Sequence, residues 1–449
     1  MKKNNIYIFI IVLFVLAIIG IVYRYNKKQS DKEKTGYDLL PRKGAAGKSD
    51  EWKEVQKRYN DLASLIKTNP SDVKSLIRLG ALYIEEARVT GNYVYYDKAA
   101  MHTVNNVLAI EPDNFYGLVF KSLIYLSQHH FSDGLNIAYK AKVVNPANSY
   151  VYGLLVDGNV EMGQYDSAVK YADQMVSIRP DLTSYSRVSY LREIYGDYPG
   201  SIKAMRMAVE TGGAGDEHTE WTRTQLAQLF EKTGDSKSAD SLYNFSLALR
   251  PSYPYALAGL GRLALANKDY NSAISYYLKA DSIVNDNSLK EGLADVYRLS
   301  GNIKKAMDID HQVIEDLNQD AQAGNTDENI GHYADKELAY AYLKVNDNDK
   351  ALEHAMLEYN RRPDNIDVNE TVAWVLYKKG EFAKAVPYMK VALKTHSKNP
   401  VLLNRAALIF NKAGDSQLAT ATLLEANASK AFVDPQLKSE VETSFSHTN

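Results

Sequence analysis

The side chains best equipped for chemistry are few and scattered along the chain. Nine histidines and no cysteine occur in 449 residues. Without cysteine there is no thiol catalysis, no disulfide, no Cys-ligated zinc and no lipid-modified N-terminal Cys, while either redox environment stays open. His129 and His130 are adjacent where a turn is expected, and they read as a solvated turn pair rather than a metal site. His311 and Glu315 are four apart on a helical stretch, a spacing that puts two ligands on one face. With no third ligand in view they read as a surface pair. Gly212, Gly213 and Gly215 suggest a phosphate cradle. No strand precedes them, however, and the next helix lacks the Lys-Ser/Thr that grips phosphate and metal. No His-Glu-x-x-His, Walker loop or Gly-x-Ser-x-Gly elbow is present. The sequence therefore assigns no catalytic, cofactor or metal residue, and the expectation is a protein that binds rather than transforms.

The elements that must position any binding residues come next. A chain this long exceeds one compact core unless the core is a repeat array that grows by addition. Apolar residues make up 45% and charged residues 24%, ordinary values for a folded body, but 33 tyrosines against 11 Phe and 3 Trp are not ordinary. The net charge is −2, with ten Lys/Arg and four Asp/Glu in residues 1–50, which leaves a mildly acidic remainder. That excludes nucleic acid as the main partner, since such binding needs a basic footprint.

Residues 6–23 are an uninterrupted apolar run, with residues 1–5 carrying Lys2 and Lys3 ahead of it. Eighteen residues at about 1.5 Å each span roughly 27 Å, enough for a bilayer core. No small-x-small cleavage site follows, so the run is expected to be an uncleaved transmembrane signal-anchor. Lys2 and Lys3 favour a body outside the cytoplasm, in the periplasm of a bacterial inner membrane. The basic cluster of Arg24, Lys27, Lys28, Lys32 and Lys34 argues for the cytoplasmic face instead. Residues 24–50 carry four of the breakers Gly and Pro and many charges, and are expected to form a flexible tether.

From residue 51 a phrase recurs. Pro112, Pro146 and Pro180 are spaced by 34, as are Gly380 and Gly414. A turn residue, a polar residue and, often, an aromatic are followed three residues later by a small one. Instances are Gly163-Gln164-Tyr165 with Ala168, Gly196-Asp197-Tyr198 with Ser201, and Gly234-Asp235-Ser236 with Ala239. Others are Lys268-Asp269-Tyr270 with Ala273, Gly301-Asn302-Ile303 with Ala306, and Asn346-Asp347-Asn348 with Ala351. Gly380-Glu381-Phe382 with Ala385 and Gly414-Asp415-Ser416 with Ala419 complete the series. The Gly or Asn ends one helix in a left-handed conformation, the Asp caps the next, and the small residue lets two helices approach. A second small residue follows at Ala141, Ala208, Ala280, Ala392 and Ala426, and a proline then ends the unit.

This pattern resembles the tetratricopeptide-repeat family from about residue 72 to 427, with nine to ten units inside a solenoid over 51–430. The resemblance implies an all-α fold: antiparallel helix pairs stacked into a right-handed superhelical solenoid, here behind an N-terminal transmembrane helix. Its concave surface would be lined by the first helix of each unit. Residues 184–231 and 254–260 look like a bacterial subgroup of the family, which points to bacterial origin. An insertion lies at 88–96, and the long joints at 211–217 and 319–330 are expected to be surface loops. Residues 431–449 would supply a capping helix and tail.

In the register the resemblance implies, Tyr116, Phe120, Tyr150, Arg187, Tyr190 and Trp221 face the concave groove. So do Tyr255, Arg262, Tyr340, Trp374 and Arg405. Tyrosine offers contact area at low entropy cost, with a polar tip. An extended peptide in the groove would meet a ladder of rings, with Arg187, Arg262 and Arg405 available for carboxylates. Other tyrosines, such as Tyr83 and Tyr125, are expected to pack between repeats. The family's clamp for a C-terminal carboxylate uses Lys and Asn at positions that here include Leu123 and Asp157, so that specificity does not carry over. The expected function is a membrane-anchored scaffold or adaptor for other proteins or peptides. A glycan- or envelope-polymer-binding module and a chaperone-like holdase are the alternatives.

Overall fold

The computed structural model describes residues 14–16, 18–24, 37–324 and 331–446. Apart from a short 3₁₀ helix at Gly44–Lys48, every regular element among them is an α-helix. Consecutive helices pair antiparallel: Phe115–Ser127 with Phe131–Val144, Ser149–Glu161 with Tyr165–Ile178, and so on to Pro400–Lys412 with Ser416–Asn427.

The turn phrases do what their residue types demand. All eight turn residues take positive φ, from Lys268 at 61° and Asn346 at 62° to Gly414 at 89°. His129 does the same at 61°, which makes it the turn residue of a further unit. The Asp that follows caps the next helix. Asp197 accepts from the Gly200 amide at 2.9 Å, and Asp235, Asp269 and Asp415 accept from Ser238, Ser272 and Leu418 at 3.1 Å. The small residues Ala168, Ser201, Ala239, Ala273, Ala306, Ala351, Ala385 and Ala419 are fully buried where paired helices meet. Any larger side chain there would hold the helices apart.

The insertion at 88–96 lengthens the first pair, Val73–Thr90 and Tyr93–Ile110, to 18 residues each. Residues 211–216 form the expected loop. Residues 319–324 do not: they continue the helix Ile303–Gly324, and 325–330 lie outside the described residues. At the far end the helix Pro435–Ser446 buries Leu437 and Val441 in the cluster of the last units. Glu440 there accepts from Tyr377 Oη at 3.0 Å and Lys378 Nζ at 2.8 Å.

Part of the stretch expected to be a tether over 24–50 is folded instead. Residues 25–36 lie outside the described residues, but 37–48 pack onto the first units. Arg42 grips the fully buried Glu86 with two hydrogen bonds, Nε to Oε2 at 3.0 Å and Nη2 to Oε1 at 2.5 Å, and lies over the Trp52 ring. Tyr59 and Tyr83 donate to the Tyr37 carbonyl oxygen, and Leu39 and Leu40 join the apolar cluster beneath. A charged, Gly/Pro-containing stretch looks solvated in sequence; one arginine with a buried partner anchors it.

Of the expected transmembrane run, residues 14–16 and 18–23 are helical, with Phe14, Ile19 and Ile21 exposed. The rest of that run lies outside the described residues. Among the described residues no helix is long and apolar enough to cross a membrane.

The array coils back onto itself. Contacts recur between residues about 200 positions apart: Glu51 with Arg250 (199), Glu161 with Arg362 (201) and Val160 with Asn365 (205). The Asn285 amide donates to the Thr90 carbonyl at 3.0 Å, Tyr333 to that of Gln128 at 3.1 Å, and Ile366 to Tyr165 Oη at 2.9 Å. At the 34-residue period this is about six units per superhelical turn. The second turn lies directly on the first.

Candidate functional site: the enclosed inner face

Because the second turn sits on the first, the concave surface is a walled interior rather than an open groove. Groups distant in sequence confront one another there. Tyr190 exposes 42% of its surface, so water reaches the ring. Yet burial and the carboxylates of Asp367, Glu161 and Glu193 hold its phenol well above the usual range. Tyr190 is thus open to solvent yet close to carboxylates of both superhelical turns. Burial likewise raises Tyr150 and Tyr340.

Tyr116, Tyr150 and Tyr190 stand on the first helices of three successive units and expose 54%, 43% and 42% of their surface. No hydrogen bond involves their hydroxyls among the described residues. Phe120, Trp221, Tyr255 and Tyr340 are partly buried. Phe120 leans on Tyr116, Trp221 lies under the Arg88 guanidinium at 5.0 Å, and Tyr340 accepts from Arg405 Nη1 at 3.2 Å. Trp374 is only 7% exposed and stacks on Tyr377 at 4.9 Å, so it packs the wall and offers little surface. Tyr83, expected to pack, is fully buried.

The three groove arginines are not available in the way the sequence suggested. Arg187 makes a two-pronged bond to Asp157, Nε to Oδ1 at 2.9 Å and Nη2 to Oδ2 at 2.6 Å. Arg262 does the same to Glu231 at 3.1 and 2.9 Å. Arg405 Nη1 donates to Glu370 Oε1 at 2.9 Å. Each carboxylate lies 30, 31 or 35 residues earlier, on the first helix of the preceding unit. Neighbouring first helices run side by side, so a basic residue about one period after an acidic one reaches it. The arginines thus clamp unit to unit and neutralise Asp157, Glu231 and Glu370.

Tyrosines brace the same wall from behind. Tyr243, on a second helix, lays its ring against Gly259, where an added Cβ would sit 2.2 Å from Cζ. Its hydroxyl reaches the inner face, bonding Glu231 and accepting from Arg262 Nη2 at 2.8 Å. Tyr277 occupies the space over Gly261 and Gly292 in the next joint. A glycine opposite a tyrosine one half-unit away was the sequence signal for this, and it passed unread.

A cavity of about 890 Å³ opens where this wall faces the last unit. Tyr255, Arg262 and Tyr277 line one side, Glu291 and Asp295 another, and Pro400 and Phe432 the far side. Glu291 has no ion pair among the described residues, and burial pushes its carboxyl up to about 7. This residue too was missed, since an acidic side chain on a helix normally reads as solvated.

The adjacent histidines also depart from expectation. They lie between superhelical turns, with His130 stacked on Tyr333 at 4.0 Å. His129 meets His332 and Glu337, which makes the one group of three metal-ligating side chains among the described residues. His311 and Glu315 gain no third ligand there.

A family model described as tetratricopeptide repeat matches residues 224–288. No curated protein matches the chain. Among solved structures, a tetratricopeptide repeat protein from Parabacteroides merdae is 15% identical over 55% of this chain and 98% of its own, with a TM-score of 0.41. A thermophilic tetratricopeptide-repeat protein of Thermus thermophilus is 18% identical over 44% and 99%, at 0.37. The human IFIT1 dimer with PPP-AAAA is 12% identical over 72% and 73%, at 0.47. At such identities and TM-scores these likenesses carry no functional argument.

Proposed function

We propose that this chain, a tetratricopeptide-repeat protein, is a membrane-tethered scaffold that holds an extended segment of another polypeptide in its enclosed, tyrosine-lined interior. One observation carries the reading. Three tyrosines in successive units keep 54%, 43% and 42% of their surface open, while Phe120, Trp221, Tyr255 and Tyr340 are partly buried and Trp374 is buried. Folding leaves such rings uncovered at a cost in apolar burial, and a bound chain would recover it. An extended peptide rises about 3.3 Å per residue, with side chains alternating, and can meet rings on neighbouring helices in turn.

The paired arginines refine the ligand. With Arg187, Arg262 and Arg405 each bonded to a carboxylate, the wall offers no free charge of that kind. The preferred segment then does not depend on carboxylates to engage these arginines, and aromatic and apolar contact carries its affinity. The test is a fluorescence-anisotropy screen of an unbiased peptide library against the full chain and the Tyr116→Ala, Tyr150→Ala, Tyr190→Ala triple variant. The reading requires at least a ten-fold loss in the triple variant, as anchor residues give. Unchanged affinity in a folded triple variant would discard it.

We further assign the tether to residues 6–23, with the solenoid on the extracytoplasmic side of a bacterial inner membrane. Lys2 and Lys3 before the apolar run support that side. A reporter active only outside the cytoplasm, fused after residue 449, is expected to be active. Activity of the matching cytoplasmic reporter would move the body to the inner face.

A further inference from the structure

We propose that His129, His332 and Glu337 form a binding site for a divalent transition-metal ion of the zinc class, which fastens the second superhelical turn to the first. The three side chains come from two places far apart in sequence. His129 is the left-handed turn residue between Phe115–Ser127 and Phe131–Val144, at φ 61°. His332 precedes the helix Asp335–Lys344, and Glu337 lies in that helix's first turn. One ligating atom from each falls within 4.8 Å of the others. The two imidazole rings are 4.3 Å apart between centroids. Metal bonds of about 2.0–2.1 Å place tetrahedral neighbours about 3.3 Å apart, so small side-chain rotations complete the set.

The surroundings hold the ligands as metal sites do. His129 Nδ1 lies 3.1 Å from the Tyr333 carbonyl oxygen, a partner that orients the ring and leaves Nε2 for the metal. The Tyr333 amide donates to the Gln128 carbonyl at 3.1 Å, which locks the two segments in register. Glu337 Oε2 is buried and has no hydrogen-bond partner among the described residues. An unsatisfied carboxylate oxygen beside two imidazoles is an acceptor awaiting a cation. Two nitrogens and one oxygen, with a fourth position for water, suit zinc, cobalt or nickel over magnesium or calcium, which take oxygen. Lys336 is the nearby cation, and Asp367 and Glu161 across the interior offset it.

The test uses the untagged full chain in detergent, titrated calorimetrically with zinc chloride, and cobalt as a spectroscopic probe. One ion per chain is expected, with a tetrahedral cobalt spectrum. His332→Ala, outside any helix, and His129→Asn, which keeps a left-handed turn, are each expected to lose at least ten-fold in affinity. His311→Ala is expected to bind as the parent does. Zinc is also expected to slow hydrogen exchange at the Tyr333 amide in the parent and not in His332→Ala. Zinc binding that survives the His129→Asn, His332→Ala double variant, or no binding by a folded parent, would overturn the proposal.

Discussion

Arg42 binds Glu86 where neither side chain has contact with water. Removing one member of such a pair strands a buried charge, which typically costs about 3–5 kcal/mol. Arg42→Ala is therefore expected to loosen residues 37–48 and destabilise the first units by that order, read as a lower denaturation midpoint. Replacing both, as Arg42→Met with Glu86→Leu, is expected to restore most of it; equal losses in both variants would contradict the account. Glu291 tests the interior in another way. Its folded pKa of about 7 lies above the ordinary 4.5, so the folded state keeps a proton that the unfolded state releases first. The contribution of Glu291 to stability is full below pH 4.5 and falls as pH climbs from there to about 7. Urea melts of Glu291→Gln are expected to be flatter over that window and more stable than the parent at its upper end. Residues such as Ala168 and Ala239 were legible because a small side chain at a fixed offset has one common cause. Arg187 was misread because its partner, Asp157, is visible only once first helices are known to run side by side.

At the scale of elements, two glycines separate the turn from its environment. Gly163 and Gly414 both sit at positive φ, 74° and 89°, and both close the first helix of a unit. A Cβ on Gly163 would lie 2.3 Å from the Asp364 carbonyl oxygen, whereas one on Gly414 meets nothing within 4 Å among the described residues. Gly414→Ala should cost only the left-handed strain, about 1–2 kcal/mol. Gly163→Ala is expected to cost about 1–3 kcal/mol more, because the turns must separate. Thermal melts of the two variants decide this, and equal costs would mean that the turns do not touch in solution. The turn phrases, caps and small residues were readable because each acts within one unit. The seating of Gly163 on Asp364 was not, because it joins residues 201 apart and follows from the summed rotation of about six units.

For the molecule as a whole, that summed rotation decides what kind of binding site exists. A solenoid that opened slightly per turn would present a groove from the side. This one seats its second turn on its first through Glu51–Arg250, Glu161–Arg362 and Tyr165–Ile366, and the inner face becomes an interior. A narrow, tyrosine-bearing interior is suited to an extended chain and ill suited to a folded globule. The central claim is that this interior holds another polypeptide. It is tested most directly by placing a photo-crosslinking amino acid at Tyr190 inside, and at Val143, which is 83% exposed on a second helix, in the producing cell. The account predicts discrete polypeptide adducts from position 190 that disappear in the Tyr116→Ala, Tyr150→Ala background, and none from position 143. Adducts absent at 190, or the same set at both positions, would contradict it.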